Sequence, residues 1–182
     1  YNQRDDRYGG NAENRAQILW EVIEGVNKRC GRGFSLGVRL SPERFGQRTA
    51  EIRDLAGALL IDERLDYLDM SLWDLTKPAH DEEFEGQSLL EIFTELPREG
   101  VALGAAGKLY SAAQCQSALD QGLDFVMVGR GGILHHDFPD RAIADPEFVM
   151  ADLPVTREHL RQERLGPPFI DYMASWKGFV AD

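Results

Sequence analysis

Apolar residues recur at three- and four-residue spacing from Asn11 to about Arg29, where Ile18, Leu19, Val22, Ile23 and Val26 share one side of a helix. Asn11 suits the N-cap, Glu13 suits the first turn, and Gly31 with Gly33 stops the element. The period then changes to two. Phe34-Ser-Leu-Gly-Val-Arg-Leu-Ser41 predicts a strand ended by Pro42, with Phe34, Leu36, Val38 and Leu40 on one face and Ser35, Gly37, Arg39 and Ser41 on the other. The plan repeats: Ala50 to Ile61 carries Ile52, Leu55, Ala56, Leu59 and Leu60 on a helical face, and Tyr67–Leu72 is strand-like. Residues 73–87 read as a polar, acidic loop. A third helix with Leu89, Leu90, Ile92, Phe93 and Leu96 leads to a strand at Val101–Ala106, and a fourth, capped by Ser111 and running to Gln121, leads to a strand at Phe125–Val128. Beyond residue 130 the pattern loosens into a tail with short helices near Asp145–Met150 and Arg157–Arg164.

Four helix-to-strand units with short links predict an α/β fold with a parallel sheet. Leu65-Asp-Tyr-Leu-Asp-Met-Ser71 and Leu123-Asp-Phe-Val-Met-Val-Gly129 share a Leu-Asp-aromatic start, as repeated modules would. A closed (β/α)8 TIM barrel takes about 250 residues. The 182 residues therefore read as a single domain, 1–182, forming the second half of a (β/α)8 barrel, about four β/α units plus C-terminal helices, with the N-terminal half missing. In that frame Arg39 points inward at the carboxyl end of its strand, where barrel active sites are built. Midway along a buried strand the same cation would be severely desolvated.

Composition narrows the function classes. An apolar content of 43% is ordinary for a globular domain, and no apolar run approaches the roughly 20 residues of a membrane span. The start of the chain has no signal-peptide form, so a cytoplasmic protein without membrane attachment is expected. A net charge of −11 argues against nucleic-acid binding. Cys30 and Cys115 lie far apart in helical segments and read as reduced thiols. His80, His135, His136 and His159 show no zinc spacing, and adjacent histidines point apart, so no metal is expected.

Two apolar runs end in glycine beside a cation: Val101-Ala-Leu-Gly-Ala-Ala-Gly-Lys108 and Phe125-Val-Met-Val-Gly-Arg-Gly131. Glycine lets backbone N–H groups approach an anion closely, and Lys108 and Arg130 supply compensating charge. Counted as the loops after the seventh and eighth barrel strands, they fall where such barrels grip phosphate. The plainer alternative is a pair of turns with solvated cations. Arg39 likewise has two readings, a fixed cation at the barrel mouth or a structural ion pair with Asp69, which shares a strand face with Ser71.

Asn2-Gln-Arg-Asp-Asp-Arg-Tyr-Gly-Gly-Asn-Ala-Glu-Asn-Arg15 resembles the N-x-R-x-D-x-Y-G-G-S-x-E-N-R signature of the old yellow enzyme family, the NADH:flavin oxidoreductases, departing only at Asn11. The likeness continues through Gly37–Ser41, Ala106-Gly-Lys108, Val128-Gly-Arg130 and the tail. It implies FMN as cofactor, NAD(P)H as reductant and a small electron-poor acceptor such as an α,β-unsaturated carbonyl. Arg39 matches the arginine against the flavin's pyrimidine end, which stabilises the anionic reduced form. Ala106, Gly107, Lys108, Val128, Gly129 and Arg130 match the segments that hold the FMN phosphate. Arg4, Asp6, Tyr8, Glu13, Asn14 and Arg15 would brace the loop that starts the next helix.

The sequence departs from the family at Lys108-Leu109 and at Gly131–Pro139, where relatives often read apolar-Leu-Ala-Asp-Pro. His135 or His136 near the cofactor is one reading of the second departure and a surface turn the other. The family's substrate-gripping His-x-x-His or His-x-x-Asn pair would precede Tyr1, and no residue here replaces it; Trp73, His80 and their neighbours in the 73–87 loop are candidates to line the substrate side. The rivals are a non-catalytic half-barrel acting as an interaction unit and a flavin-free phosphate-binding barrel enzyme. A homo-oligomer is left open.

Overall fold

In a computed structural model describing residues 2–43 and 46–181, Asn11 starts the first helix by accepting the Asn14 N–H on its side chain at 2.8 Å. Helix α1 spans Ala12–Cys30 and ends at Gly31, whose φ of 72° favours a residue without Cβ. Of its apolar stripe only Ile23 is buried, while Ile18 and Val22 are exposed. Next come β1 (Gly37–Leu40), α2 (Thr49–Leu60), β2 (Tyr67–Ser71), a 3-10 turn at Glu82–Phe84, α3 (Leu89–Thr94) and β3 (Ala102–Ala106). Ser88 and Glu91 form a reciprocal capping box at α3. Two compact units result, Tyr1–Gly107 with Gln121–Val126 and Lys108–Asp120 with Met127–Asp182.

The first unit holds a four-stranded parallel sheet in the order β1-β2-β3-β4, with β4 reduced to Phe125–Val126. Leu68, Met70, Leu103 and Ala105 are buried on one sheet face, and α2 and α3 contribute Ile52, Ala56, Leu59, Leu60, Leu89, Ile92 and Phe93 to the core. The opposite face carries Arg39, Asp69, Gly104 and Phe125 at one level of the register. The strands are shorter than the alternation predicts, β1 at both ends and β4 at its carboxyl end. Leu36 donates to the Asp66 carboxylate at 2.6 Å and Leu103 to that of Asp124 at 2.7 Å. The Leu-Asp-aromatic repeat is thus a joint used twice: each aspartate ties its strand to the preceding one, and the following aromatic lies over a glycine there. Tyr67 covers Gly37, Phe125 covers Gly104, and the two rings meet edge to face at 5.8 Å. A methyl at Gly104 would run into the Phe125 ring. Gly104→Ala is therefore expected to cost about 1–3 kcal/mol of stability, as overpacking does; a urea midpoint equal to wild type would show that the ring has room to move.

The second unit contains α4 (Ala112–Asp120), α5 (Arg130–Leu134), α6 (Phe138–Ala144), α7 (Arg157–Gln162) and α8 (Pro167–Ala174). The Ser111 hydroxyl accepts the Gln114 N–H at 3.2 Å, as its expected capping role requires. Leu134, Val155, Leu160, Ile170, Met173 and Phe179 form its core cluster. The helix expected near Asp145–Met150 does not form. Asp145 precedes Pro146, which disfavours helical geometry, and it adopts an extended φ of −135° that ends α6. The chain instead pairs with residues 110–112, through Met150 N–H to Tyr110 O at 2.8 Å and Ala112 N–H to Phe148 O at 2.9 Å.

Candidate functional site

Parallel pairing makes Arg39 and Asp69 direct neighbours. Arg39 Nη1 lies 3.2 Å from Asp69 Oδ2, and Nη2 donates to Ser71 Oγ at 3.1 Å, so the ion pair considered from the sequence is present. The guanidinium nevertheless keeps 53% of its side chain exposed, whereas Asp69 is 3% exposed. Burial pushes the Asp69 carboxyl above its ordinary pKa, and Arg39 partly opposes this. At the carboxyl end of β3, Ala106 O accepts the Leu72 N–H at 2.8 Å. Gly107 then passes so close to Leu75 and the backbone nitrogens of Asp74 and Leu75 that no Cβ would fit. Trp73 and Lys108, just past β2 and β3, hold φ of 62° and 51°. Such left-handed strain at non-glycine residues is concentrated at functional sites.

In the second unit, Lys108 and Arg130 are both exposed. Arg130 Nη1 donates to the Tyr110 hydroxyl at 3.0 Å. Tyr110 is held in turn, its N–H donating to Gln114 Oε1 at 2.8 Å and its carbonyl accepting from Met150. Gly129 opens α5 with open space where a Cβ would lie, while Gly131 packs against Val128 and the Phe138 ring. Arg130, the Tyr110 phenol and the unobstructed Gly129 turn are groups of the kind that bind a phosphate dianion. Tyr110 is not among the residues expected from the sequence; its signal is its place two residues after Lys108 and just before the Ser111 cap.

The histidines are less scattered than their spacing suggests. His136 donates its backbone N–H to Glu163 Oε2 at 2.8 Å, and its ring Nδ1 lies 2.8 Å from the same oxygen. His135 Nδ1 and Arg141 Nη2 each lie 3.8 Å from Glu163 Oε1. His159 Nε2 donates to Leu134 O at 2.8 Å. His135, His159 and Glu163 place ligand atoms within 4.8 Å of one another, but His135 Nε2 accepts the Ala151 N–H at 2.8 Å. The neutral ring therefore carries its proton on Nδ1, the nitrogen a metal would need. This arrangement makes a hydrogen-bonded network around a buried glutamate.

Burial opposes ionisation of Glu163, yet its hydrogen bonds from His136 and the charges nearby hold its pKa below the ordinary glutamate value. The stabilisation this gives is present above that ordinary value and is lost as pH falls through the lower, folded-state value. Glu163→Gln should therefore melt lower than wild type at neutral pH, with the gap closing below about pH 4.5. Melting curves from pH 7 to pH 3 that stay equally separated would contradict it.

The signature residues serve the loop before α1. Arg4 pairs with Asp6, Asp6 accepts the Tyr8 N–H at 3.0 Å, and Asn2 donates to Tyr8 O at 2.6 Å. The Tyr8 hydroxyl reaches Glu21 on α1 at 2.9 Å, and Arg15 binds Gly10 O and Glu51. Of the residues considered for the substrate side, Trp73 is exposed, and His80 donates its N–H to Glu43 at 2.5 Å. Glu43, which the sequence did not single out, has a side chain only 6% exposed and also pairs with Lys77 at 2.7 Å.

Parallel β/α units with cations and glycines beyond β3 and β4 define an α/β chain of the (β/α)8 barrel class. The chain belongs to the NADH:flavin oxidoreductase / NADH oxidase family, whose model matches residues 1–146. It is 32% identical over 136 residues to a probable NADH-dependent flavin oxidoreductase of Bacillus subtilis, covering 71% of this chain and 36% of that protein. It is 28% identical over 158 residues to NADH:fumarate oxidoreductase of Klebsiella pneumoniae, covering 82% of this chain and 17% of that protein. Among solved structures, the old yellow enzyme homologue from Zymomonas mobilis matches with a TM-score of 0.64 at 25% identity, over 94% of this chain and 47% of that one. The chain thus spans less than half the length of the curated relatives it matches and corresponds to part of a barrel. No helix among the described residues is long and apolar enough to cross a membrane.

Proposed function

We propose that this chain is part of an FMN-dependent NAD(P)H oxidoreductase that reduces activated alkenes, α,β-unsaturated carbonyls among them. The observation that carries this reading is the Arg39 guanidinium, held by Asp69 and Ser71 at the strand end yet still exposed to a ligand. Arg39 would face the pyrimidine end of the flavin and stabilise negative charge there. Lys108 and Arg130, with the backbone at Ala106, Gly107, Val128 and Gly129, would hold the FMN phosphate. Bound FMN supplies two-electron transfer between NAD(P)H and the acceptor, and the protein binds, orients and tunes it. Fumarate, the substrate in the name of the Klebsiella relative, is an electron-poor alkene and supports the acceptor class. None of the described residues is assigned to grip the acceptor.

Flavin uptake tests this directly. Purified full-length protein incubated with FMN and desalted is expected to keep yellow flavin absorbance, and to oxidise NADH or NADPH faster when an activated alkene is supplied. Protein that stays colourless after incubation overturns the reading.

A further inference from the structure

Asp69 is buried beside the exposed Arg39, and its contacts are incomplete. One oxygen, Oδ2, approaches Arg39 at 3.2 Å, while Oδ1 has no hydrogen-bond partner. An aspartate placed to tie down an arginine for stability would engage it with both oxygens at about 2.7–2.9 Å. A buried, half-satisfied carboxylate is instead a costly arrangement, retained beside an exposed cation. Ser71, two residues further along the same strand face, occupies the second guanidinium nitrogen. Strand β2 thus both aims Arg39 and sets a negative charge against it.

We propose that Asp69 is a positioning residue that orients Arg39 and tempers the positive field Arg39 casts on the pyrimidine end of FMN, lowering the reduction potential of the bound cofactor. The inference rests on the FMN reading above. Uptake of two electrons with one proton adds one negative charge to the bound cofactor, so a neighbouring cation favours reduction and a neighbouring anion opposes it. Burial raises the cost of that anion, and the Arg39 charge offsets part of it. Without Arg39, an isolated buried carboxyl takes up a proton and its charge disappears.

The test is the midpoint potential of FMN bound to the full-length protein, measured against a reference dye in wild type, Asp69→Asn, Arg39→Ala and the double variant. Asp69→Asn keeps the size and one oxygen but removes the charge. It is expected to raise the potential by a tenfold change in the reduction equilibrium, about 30 mV for a two-electron couple. In the Arg39→Ala background the same substitution is expected to change nothing. A potential that is unmoved or lowered by Asp69→Asn in folded, flavin-loaded protein overturns the proposal, as does an equal shift in both backgrounds. Should Asp69→Asn not fold, Ser71→Ala removes the neutral anchor alone; a lowered potential supports the positioning and an unchanged one refutes it. Wild-type protein that takes up no FMN instead defeats the flavin reading, and this proposal with it, so the two failures are told apart.

Discussion

The double variant Lys108→Ala/Arg130→Ala is expected to bind FMN at least a hundredfold more weakly while its affinity for riboflavin stays unchanged. In the proposed site each cation supplies a charge-assisted hydrogen bond to phosphate, and such bonds contribute about 1.5–3 kcal/mol apiece. Two together give roughly 3–6 kcal/mol, or on the order of 10²–10⁴ in affinity. Riboflavin lacks the phosphate and so reports the rest of the site. Both side chains are exposed, so their removal leaves the fold intact. The phenol that orients Arg130 gives a graded companion: Tyr110→Phe loses one hydrogen bond of about 1 kcal/mol, roughly fivefold, again for FMN only. Fluorescence quenching titrations distinguish these outcomes, and wild-type FMN affinity in the double variant would remove Lys108 and Arg130 from the phosphate site.

Phe138→Ala should destabilise the second unit by about 3–5 kcal/mol, the range for emptying a buried aromatic site. Phe138 is buried at the start of α6, meets the Phe148 ring at 5.2 Å, and presses on Gly131, where a Cβ would collide with it. Its loss leaves a void directly beneath the turn that presents Arg130. Stability and FMN affinity should therefore fall together, whereas Phe138→Leu, which keeps most of the volume, should lose less of both. A denaturant midpoint for Phe138→Ala within the spread of surface variants would mean that α6 is not held by this ring.

Much of this arrangement is legible in the residues themselves. Asn11, Ser88 and Ser111 occupy cap positions because a side-chain oxygen there satisfies N–H groups the helix leaves open. Strand period puts Arg39 and Asp69 on the same face of adjacent strands, and the parallel register then makes the pair that the sequence left as one of two readings. What escaped the sequence depends on chain returns that no local period encodes. Glu163 meets His136 across 27 residues, and Tyr110 meets Arg130 across 20. Helix α5 is hidden because Gly131-Gly132 is poor helix-forming sequence, sustained here by tertiary packing. Helix α8 did carry a signal, with Pro167 and Pro168 opening its first turn.

The aspartate–aromatic joint between successive strands bears on how this sheet assembles. Each joint links segments only 21 to 30 residues apart, and each contains its own register mark: a carboxylate for one backbone N–H and a ring that fits only over glycine. Strands can therefore dock one after another, with loop closures of modest entropy and little need for the whole sheet to find its alignment at once. A lengthened helix between two joints would leave the strand alignment untouched, whereas a single side chain added under either ring would misalign it. That is the property a barrel needs if it is to vary its outer ring of helices while its inner wall stays in register.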